Sequence, residues 1–249
     1  MVIWASTLKS ATVVLEKMVA AGLTEMNFST GDSHVEFVPI ENIIIGSYVS
    51  RSLGLSTSIM VETSGACTVT KETLITHPLY QELLGQESDV DLVIIESPWI
   101  SMYEGHDRVE CNHDQMINLD TLHTRGGCDS ILSTIVATPQ RELFACCGII
   151  SQQIPEVKLG ILDDRAMKDM YDDARGDFLK IWLSVDGPEK IVAWAAQFDS
   201  SIKWENRYSH QCDICQFMYQ DERVRNVIAE NYESAMPNIL LKYAIRNRV

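Results

Sequence analysis

Apolar and polar residues repeat with two different periods along the first hundred residues, which predicts alternating helices and strands. "TLKSATVVLEKMVAAGL" has apolar residues near helical spacing, and Gly22 follows where a helix C-cap is expected. "TEMNFSTG" predicts a short strand, "PIENIIIGSYVSRSLG" a second helix and "LSTSIMVET" the next strand. "TKETLITHPLYQELLG" predicts a third helix that is interrupted by Pro78 or begins late because of it, and "VDLVIIESPWI" predicts a fully buried strand.

This order of elements is typical of parallel βαβ units, whose ligands gather at the carboxyl ends of the strands. The polar residues at those predicted ends are Ser29, Thr30, Asp32, His34, Glu62, Glu96 and Ser97. Three strands are too few to close a barrel. The pattern therefore predicts an α/β class and part of a larger α/β architecture.

The pattern changes near residue 100, which divides the chain into predicted domains 1–105 and 106–249. A polar connection comes first, and "CDSILSTIVATPQRELFACCGI" then predicts a β-hairpin with its turn near Pro139. Helical patterns follow around 163–182 and from Pro188, and a last helix kinked at Pro237 runs to the end. The second domain is thus expected to be a small α+β domain.

Composition narrows the class of protein. The 249 residues carry a formal net charge of −15 with scattered Lys and Arg, so neither a nucleic-acid-binding face nor a basic membrane-surface helix is expected. The longest apolar runs fall well short of the roughly 20 residues that span a bilayer, and "MVIWASTLKS" does not resemble a signal peptide. A cytoplasmic location is the expectation. No hydrolase or nucleotide-binding motif occurs.

Seven cysteines carry the most informative chemistry of the chain. Cys212 and Cys215 form a C-x-x-C whose polar neighbours disfavour an apolar core role, and a metal-binding turn is expected there. Cys128 precedes the predicted hairpin, and Cys146 and Cys147 end it. A C-x-x-C with two further thiolates suits either zinc or an iron–sulfur cluster, while buried thiols without metal are the alternative.

Adjacent strand residues point to opposite faces, so Cys146 and Cys147 are not expected to bind one centre together. Cys146 is the predicted ligand and Cys147 its packed neighbour. Cys67 and Cys111 are expected to be inert thiols. The predicted metal ligands are therefore Cys128, Cys146, Cys212 and Cys215.

The segment "AGLTEMNFSTGDSHVEFVPIENI" resembles the fourth strand and following helix of a radical S-adenosylmethionine enzyme barrel, and "WAST" is similar to the segment before it. "CDSILSTIVATPQRELFACCG", the pair Gly187–Pro188 and the late C-x-x-C resemble the auxiliary-cluster extension called SPASM, or twitch in its shorter form. The resemblance covers nearly the whole chain and rests on the order and spacing of these segments.

The resemblance implies a partial radical enzyme barrel followed by an auxiliary domain with one [4Fe-4S] cluster. It implies that Ser29 and Asp32 approach the amino acid or ribose of S-adenosylmethionine and that His34 lies at the opening of the active site. Glu62, at the end of its strand, is a similar candidate. An ordinary Asx-type turn that caps the next helix is the alternative for "STGDSH".

The chain departs from the family at the motif that defines it. No C-x-x-x-C-x-x-C occurs, so the cluster that cleaves S-adenosylmethionine has no ligands here, and Arg141 stands where a Gly usually precedes the second hairpin cysteine. The resemblance therefore implies an oxidoreductase that modifies a peptide or small molecule, in a truncated or split form that is inactive alone. A separate chain with the N-terminal half barrel is the implied partner. A non-catalytic binding module with a structural zinc site is the alternative.

Overall fold

The computed structural model describes residues 2–85, 92–98, 100, 111–147, 151–162 and 164–247. The described residues through Pro98, together with Cys111, belong to one compact unit, called here the first unit. Ile100 and the described residues from Asn112 onward belong to the second unit.

The first unit alternates helices and strands as its sequence predicts. Its elements are α1 (Leu8–Ala20), β1 (Glu25–Thr30), α2 (Asp32–Val35), α3 (Ile40–Ser52), β2 (Ser56–Thr63), α4 (Lys71–Thr76), α5 (Pro78–Leu83) and β3 (Leu92–Pro98). A capping box between Thr7 and Ser10 begins α1, and Pro78 separates α4 from α5 because its ring cannot continue the first helix.

The three strands form a parallel sheet in the order β1-β2-β3, which confirms the α/β class. One face packs on the helices, where Phe28, Ile59 and Val61 join Ile43 and Ile44 of α3 in a buried core. The opposite face is exposed.

The prediction of a fully buried third strand is wrong. On the exposed face of the sheet, Val93 is 51% exposed and Ile95 is 42% exposed, beside Met60 at 43%. A continuous apolar run indicates helices on both faces of a parallel sheet. Within the described residues only one face has such cover. The remainder of the segment predicted for this strand lies outside the described residues.

The second unit begins with irregular chain and ends in helices. Its elements are β4 (Val136–Ala137), β5 (Glu142–Phe144), β6 (Lys158–Ile161), α6 (Met167–Arg175), α7 (Phe178–Phe198), α8 (Gln211–Gln220) and α9 (Glu222–Arg246). Strands β4 and β5 pair antiparallel with Val136 opposite Phe144, and β6 adds antiparallel to β5. The predicted hairpin is confirmed, with Arg141 at φ 65° closing its turn.

Helices α7, α8 and α9 surround the core of the second unit, where the rings of Trp182 and Trp194 meet edge to face at 4.8 Å. Helix α7 is interrupted at Gly187, whose φ of 79° and ψ of 162° are not helical. Pro188 then begins the second half, as the sequence predicts. Pro237 lies inside α9.

None of the helices in the described part of the chain is long and apolar enough to cross a membrane.

Candidate metal centre and strand-end site

The four cysteines predicted as metal ligands line one cavity in the second unit. Cys128, Cys146, Cys212 and Cys215 share its wall with five apolar residues and two polar ones: Ile131, Ile154, Val157, Leu183, Pro188, Ser151 and Gln211. These thiols come from three segments that are far apart in sequence, so the fold of the second unit is what brings them together.

Cys128 is held against α7 by a backbone hydrogen bond. Its N–H donates to the carbonyl of Leu183 at 2.8 Å. This close approach requires Gly127, since a Cβ at that position would lie 2.0 Å from the carbonyl oxygen of Ser184. Burial raises the pKa of the Cys128 thiol, and the nearby backbone N–H groups of Ile131 and Ser130 oppose that rise.

Cys146 follows β5 and reaches the cavity because the preceding residue is fixed on both sides. The N–H of Ala145 donates to Val157 at 2.9 Å, and the N–H of Leu132 donates to the Ala145 carbonyl at 3.0 Å. Cys147 is exposed, and its sulfur lies 2.7 Å from the hydroxyl of Ser130. The expectation that Cys147 packs in the interior is therefore wrong: the chain leaves the sheet at this point and turns the second thiol to solvent.

The C-x-x-C lies in the first turns of α8, and the expectation of a non-helical turn is wrong. His210 caps this helix, with its Nδ1 accepting a hydrogen bond from the N–H of Cys212 at 3.0 Å. Side chains three residues apart lie on one face of a helix, so Cys212 and Cys215 still point to one side. The cap stabilises the helical conformation, because the His210 side chain accepts from a backbone amide that has no partner within the helix.

Burial controls the ionisation of these thiols. Burial, reinforced by Cys146 and Cys128, raises the pKa of Cys212 to about 12. Burial also raises the pKa of Cys215 well above its ordinary value, with Cys212 and Cys128 adding to the effect. Neighbouring thiolates repel one another in this apolar wall, so without a cation the thiols keep their protons. A bound cation removes that penalty, which makes the donor set chemically suited to a metal centre.

Two geometric observations bear on which kind of metal centre the four thiols could hold. No three His, Cys, Asp or Glu side chains in the described ranges are grouped closely enough to hold a single metal ion. The cavity volume is about 30 Å³, room for about two water molecules. The thiols thus surround one space without meeting at one point.

A buried carboxyl group that the sequence analysis missed belongs to the same region. Glu189 is 1% exposed, and its Oε2 has no hydrogen-bond partner within the described part of the chain. Burial raises its pKa, while Arg125 and the side chain of Gln211 oppose that rise. Glu189 follows Pro188 at the break in α7. Nothing in its sequence neighbours distinguishes it from an exposed helix residue.

Cys67 and Cys111 do not line the cavity, and both are half-buried. The prediction that they are ordinary thiols stays a prediction, because no contact of either tests it. His113 is exposed.

In the first unit, Asp32 ties the β1–α2 turn to the loop after β2. Its carboxylate accepts hydrogen bonds from the N–H of Thr68 at 2.9 Å, the N–H of Val69 at 2.8 Å and the Thr68 hydroxyl at 2.8 Å. The two backbone bonds lower the pKa of Asp32. This carboxylate therefore has a structural role in fixing the loop, beside any ligand role that the resemblance implies.

Glu62 lies across the same turn and joins two further residues. One carboxylate oxygen accepts from the N–H of Ser33 at 2.6 Å, and the other lies 3.1 Å from Nδ1 of His34. Gly31 makes room for this arrangement: its φ is +144°, and a Cβ there would lie 1.8 Å from Cγ of Glu62. The structure thus brings together Asp32, His34 and Glu62 around one turn. Ser29 and His34 line a pocket beside it.

Comparisons with known proteins add no family. The chain matches none of the protein-family models, and a search of curated proteins finds no significantly similar sequence.

Proposed function

We propose that the second unit holds an iron–sulfur cluster through Cys128, Cys146, Cys212 and Cys215. The observation that carries the proposal is the convergence of these four thiols, from three distant segments, on one cavity. Four thiolates are the usual ligand set of a [4Fe-4S] cluster.

The residues around the thiols support this assignment. The backbone N–H groups of Ile131 and Ser130 oppose the rise in the pKa of Cys128 that burial causes, which favours the thiolate form that a cluster requires. Apolar residues such as Ile131, Ile154 and Leu183 exclude water from the cavity wall. A bound cluster would supply one-electron chemistry at this position.

We further propose that the chain is the C-terminal part of a radical S-adenosylmethionine-type oxidoreductase that modifies a peptide or small molecule. The parallel sheet of the first unit has the strand order of a partial barrel, and its exposed face leaves room for more structure. Ser29, Asp32, His34 and Glu62 would contact S-adenosylmethionine only in an assembly completed by a chain that carries the N-terminal half. Alone, this chain would not cleave S-adenosylmethionine.

A structural zinc site is the second candidate, and the size of the cavity favours it. A volume of about 30 Å³ suits a single ion better than a cluster, since zinc bound by four cysteines needs no space for inorganic sulfide. Binding would draw the four thiolates toward one point. Under this alternative the second unit is a non-catalytic binding module.

Anaerobic reconstitution of the full chain with iron and sulfide, and separately with zinc, distinguishes the two candidates. The proposal expects a brown protein with broad absorption near about 400 nm and about four irons per chain. Cys212→Ser and Cys215→Ser should lose the cluster. The matched control is Cys147→Ser, because Cys147 is adjacent to a proposed ligand but exposed. Zinc retention with no iron uptake would refute the iron–sulfur assignment.

A further inference from the structure

A pocket of about 480 Å³ lies beside β1 in the first unit. This volume is typical of pockets that bind small molecules. Polar side chains of Asn27, Ser29 and His34 form part of its lining, and Phe37 and Val38 contribute apolar surface. Phe37 is 69% exposed, so an aromatic ring is available for stacking where a ligand would enter.

The His34 ring is oriented by the carboxylate of Glu62. Because a carboxylate oxygen accepts, Nδ1 donates across the 3.1 Å contact, and in the neutral imidazole Nε2 is then an acceptor. Nε2 makes no hydrogen bond within the described residues. A carboxylate behind a histidine fixes both its tautomer and its direction, which is how proteins prepare an imidazole to meet a ligand.

The backbone is shaped to permit this pair. Gly31 has a φ that L-residues rarely adopt, and its missing Cβ leaves the space that the side chain of Glu62 fills. The other Glu62 oxygen is fixed by the N–H of Ser33. The turn after β1 therefore holds Glu62 of β2 in place beside His34.

Charge and polarity select the class of ligand. No Lys or Arg is among the described residues that line the pocket, and a Glu62 carboxylate oxygen lies 3.1 Å from Nδ1 of His34. An anionic ligand would meet repulsion without a counter-ion. The pocket instead offers an acceptor at His34 and an exposed aromatic ring at Phe37, which suit an uncharged aromatic molecule with an O–H or N–H donor.

We propose that this pocket binds a small uncharged aromatic ligand whose O–H or N–H donates to Nε2 of His34 while its ring packs against Phe37. The site needs neither the metal centre nor S-adenosylmethionine. It shares Ser29 and His34 with the contacts proposed above for S-adenosylmethionine, so the two ligands would compete for the same residues.

Saturation-transfer NMR on the full, metal-free chain tests this proposal with phenol as the probe. Anisole has the same ring without the donor, and benzoate adds a negative charge. We expect saturable binding of phenol, with anisole and benzoate at least about tenfold weaker, since one hydrogen bond contributes about that factor. Equal affinity for anisole, tighter binding of benzoate, or no saturable binding of phenol would overturn the proposal.

Substitutions of residues in the pocket test where phenol binds. His34→Phe and Phe37→Ala should each weaken phenol at least about tenfold, whereas His113→Phe, at an exposed histidine of the second unit, should not change it. If His34→Phe fails to fold, the effect of Phe37→Ala and the ratio of phenol to anisole affinity in the unaltered chain still test the proposal. S-adenosylmethionine is the comparison ligand: its saturable binding without binding of phenol would overturn this proposal and support the cofactor role of His34.

Discussion

Replacement of Gly31 by Ala tests how closely the first unit is packed at its strand-end turn. The new Cβ would lie 1.8 Å from Cγ and 2.5 Å from Cδ of Glu62, far inside van der Waals contact. Because Glu62 must then leave, its bonds to Ser33 and His34 are lost together. The substitution also places Ala at φ +144°, a region that is nearly restricted to glycine.

The expected loss of folding stability is the sum of the backbone strain, the overpacking and the lost hydrogen bonds. The backbone contributes about 1–3 kcal/mol, and overpacking contributes a further 1–3 kcal/mol or so. The lost carboxylate bonds add less than a buried pair would, since His34 is partly exposed. We expect a total of about 3–5 kcal/mol. Gly54→Ala is the matched control, because Gly54 has φ +79° but nothing within 4 Å of the new Cβ. It should cost only about 1–2 kcal/mol.

Hydrogen exchange of the β1 and β2 amides measures the effect, since it reports the opening of this sheet even if the two units unfold separately. A double-mutant cycle with Glu62→Ala isolates the steric part. Without Cγ and Cδ the nearest atom of residue 62 is its Cβ at 2.9 Å, so Gly31→Ala should cost about 2 kcal/mol less in that background. If Gly31→Ala costs no more than Gly54→Ala, the close approach of Glu62 is wrong.

The remaining predictions concern both units. Gly127→Ala should destabilise the second unit by about 2–3 kcal/mol in urea unfolding and reduce metal retention, whereas Gly126→Ala, with open space at its Cβ, should do neither. Asp32→Asn should cost stability at pH 7. The folded pKa of Asp32 is lowered, so its contribution is present above the unfolded pKa of about 3.9 and is lost as pH falls through the folded pKa. The stabilities of the two proteins should therefore converge once the pH is below the folded pKa. Metal uptake should release protons from Cys212 and Cys215 and weaken on acidification, because both thiols have raised pKa values; a pH-indicator titration without proton release would contradict this.

The sequence predicts the helices and strands of the first unit well where the spacing of apolar residues agrees with the positions of Gly and Pro. Pro78 divides α4 from α5 and Gly22 follows α1, because ring geometry and glycine freedom act locally. The exposure of Val93 and Ile95 could not be predicted, since an apolar strand is the same sequence whether or not a second layer covers it. Whether a second layer covers this face of the sheet depends on other segments of the chain.

At the candidate metal centre, too, some features follow from local sequence and others depend on tertiary contacts. The spacing of Cys212 and Cys215 indicates that they act together, and their helical conformation follows from the His210 cap, a contact made through one side-chain nitrogen. Glu189 could not be identified, because its burial depends on how α7 breaks at Gly187 and packs near Gln211. Residues whose roles depend on tertiary contact carry no local signal in the sequence.

The distant origin of the four thiols has a consequence for the unfolded chain. Cys128 and Cys215 are 87 positions apart in sequence, so a centre bonded to both would act as a covalent staple that closes a long loop. By the loop-closure relation used for disulfides, such a staple lowers the entropy of the unfolded ensemble and thereby raises its free energy by about 4–5 kcal/mol at 25 °C. During synthesis the staple can close only after α8 has emerged, when nearly the whole core of the second unit is available to fold around it.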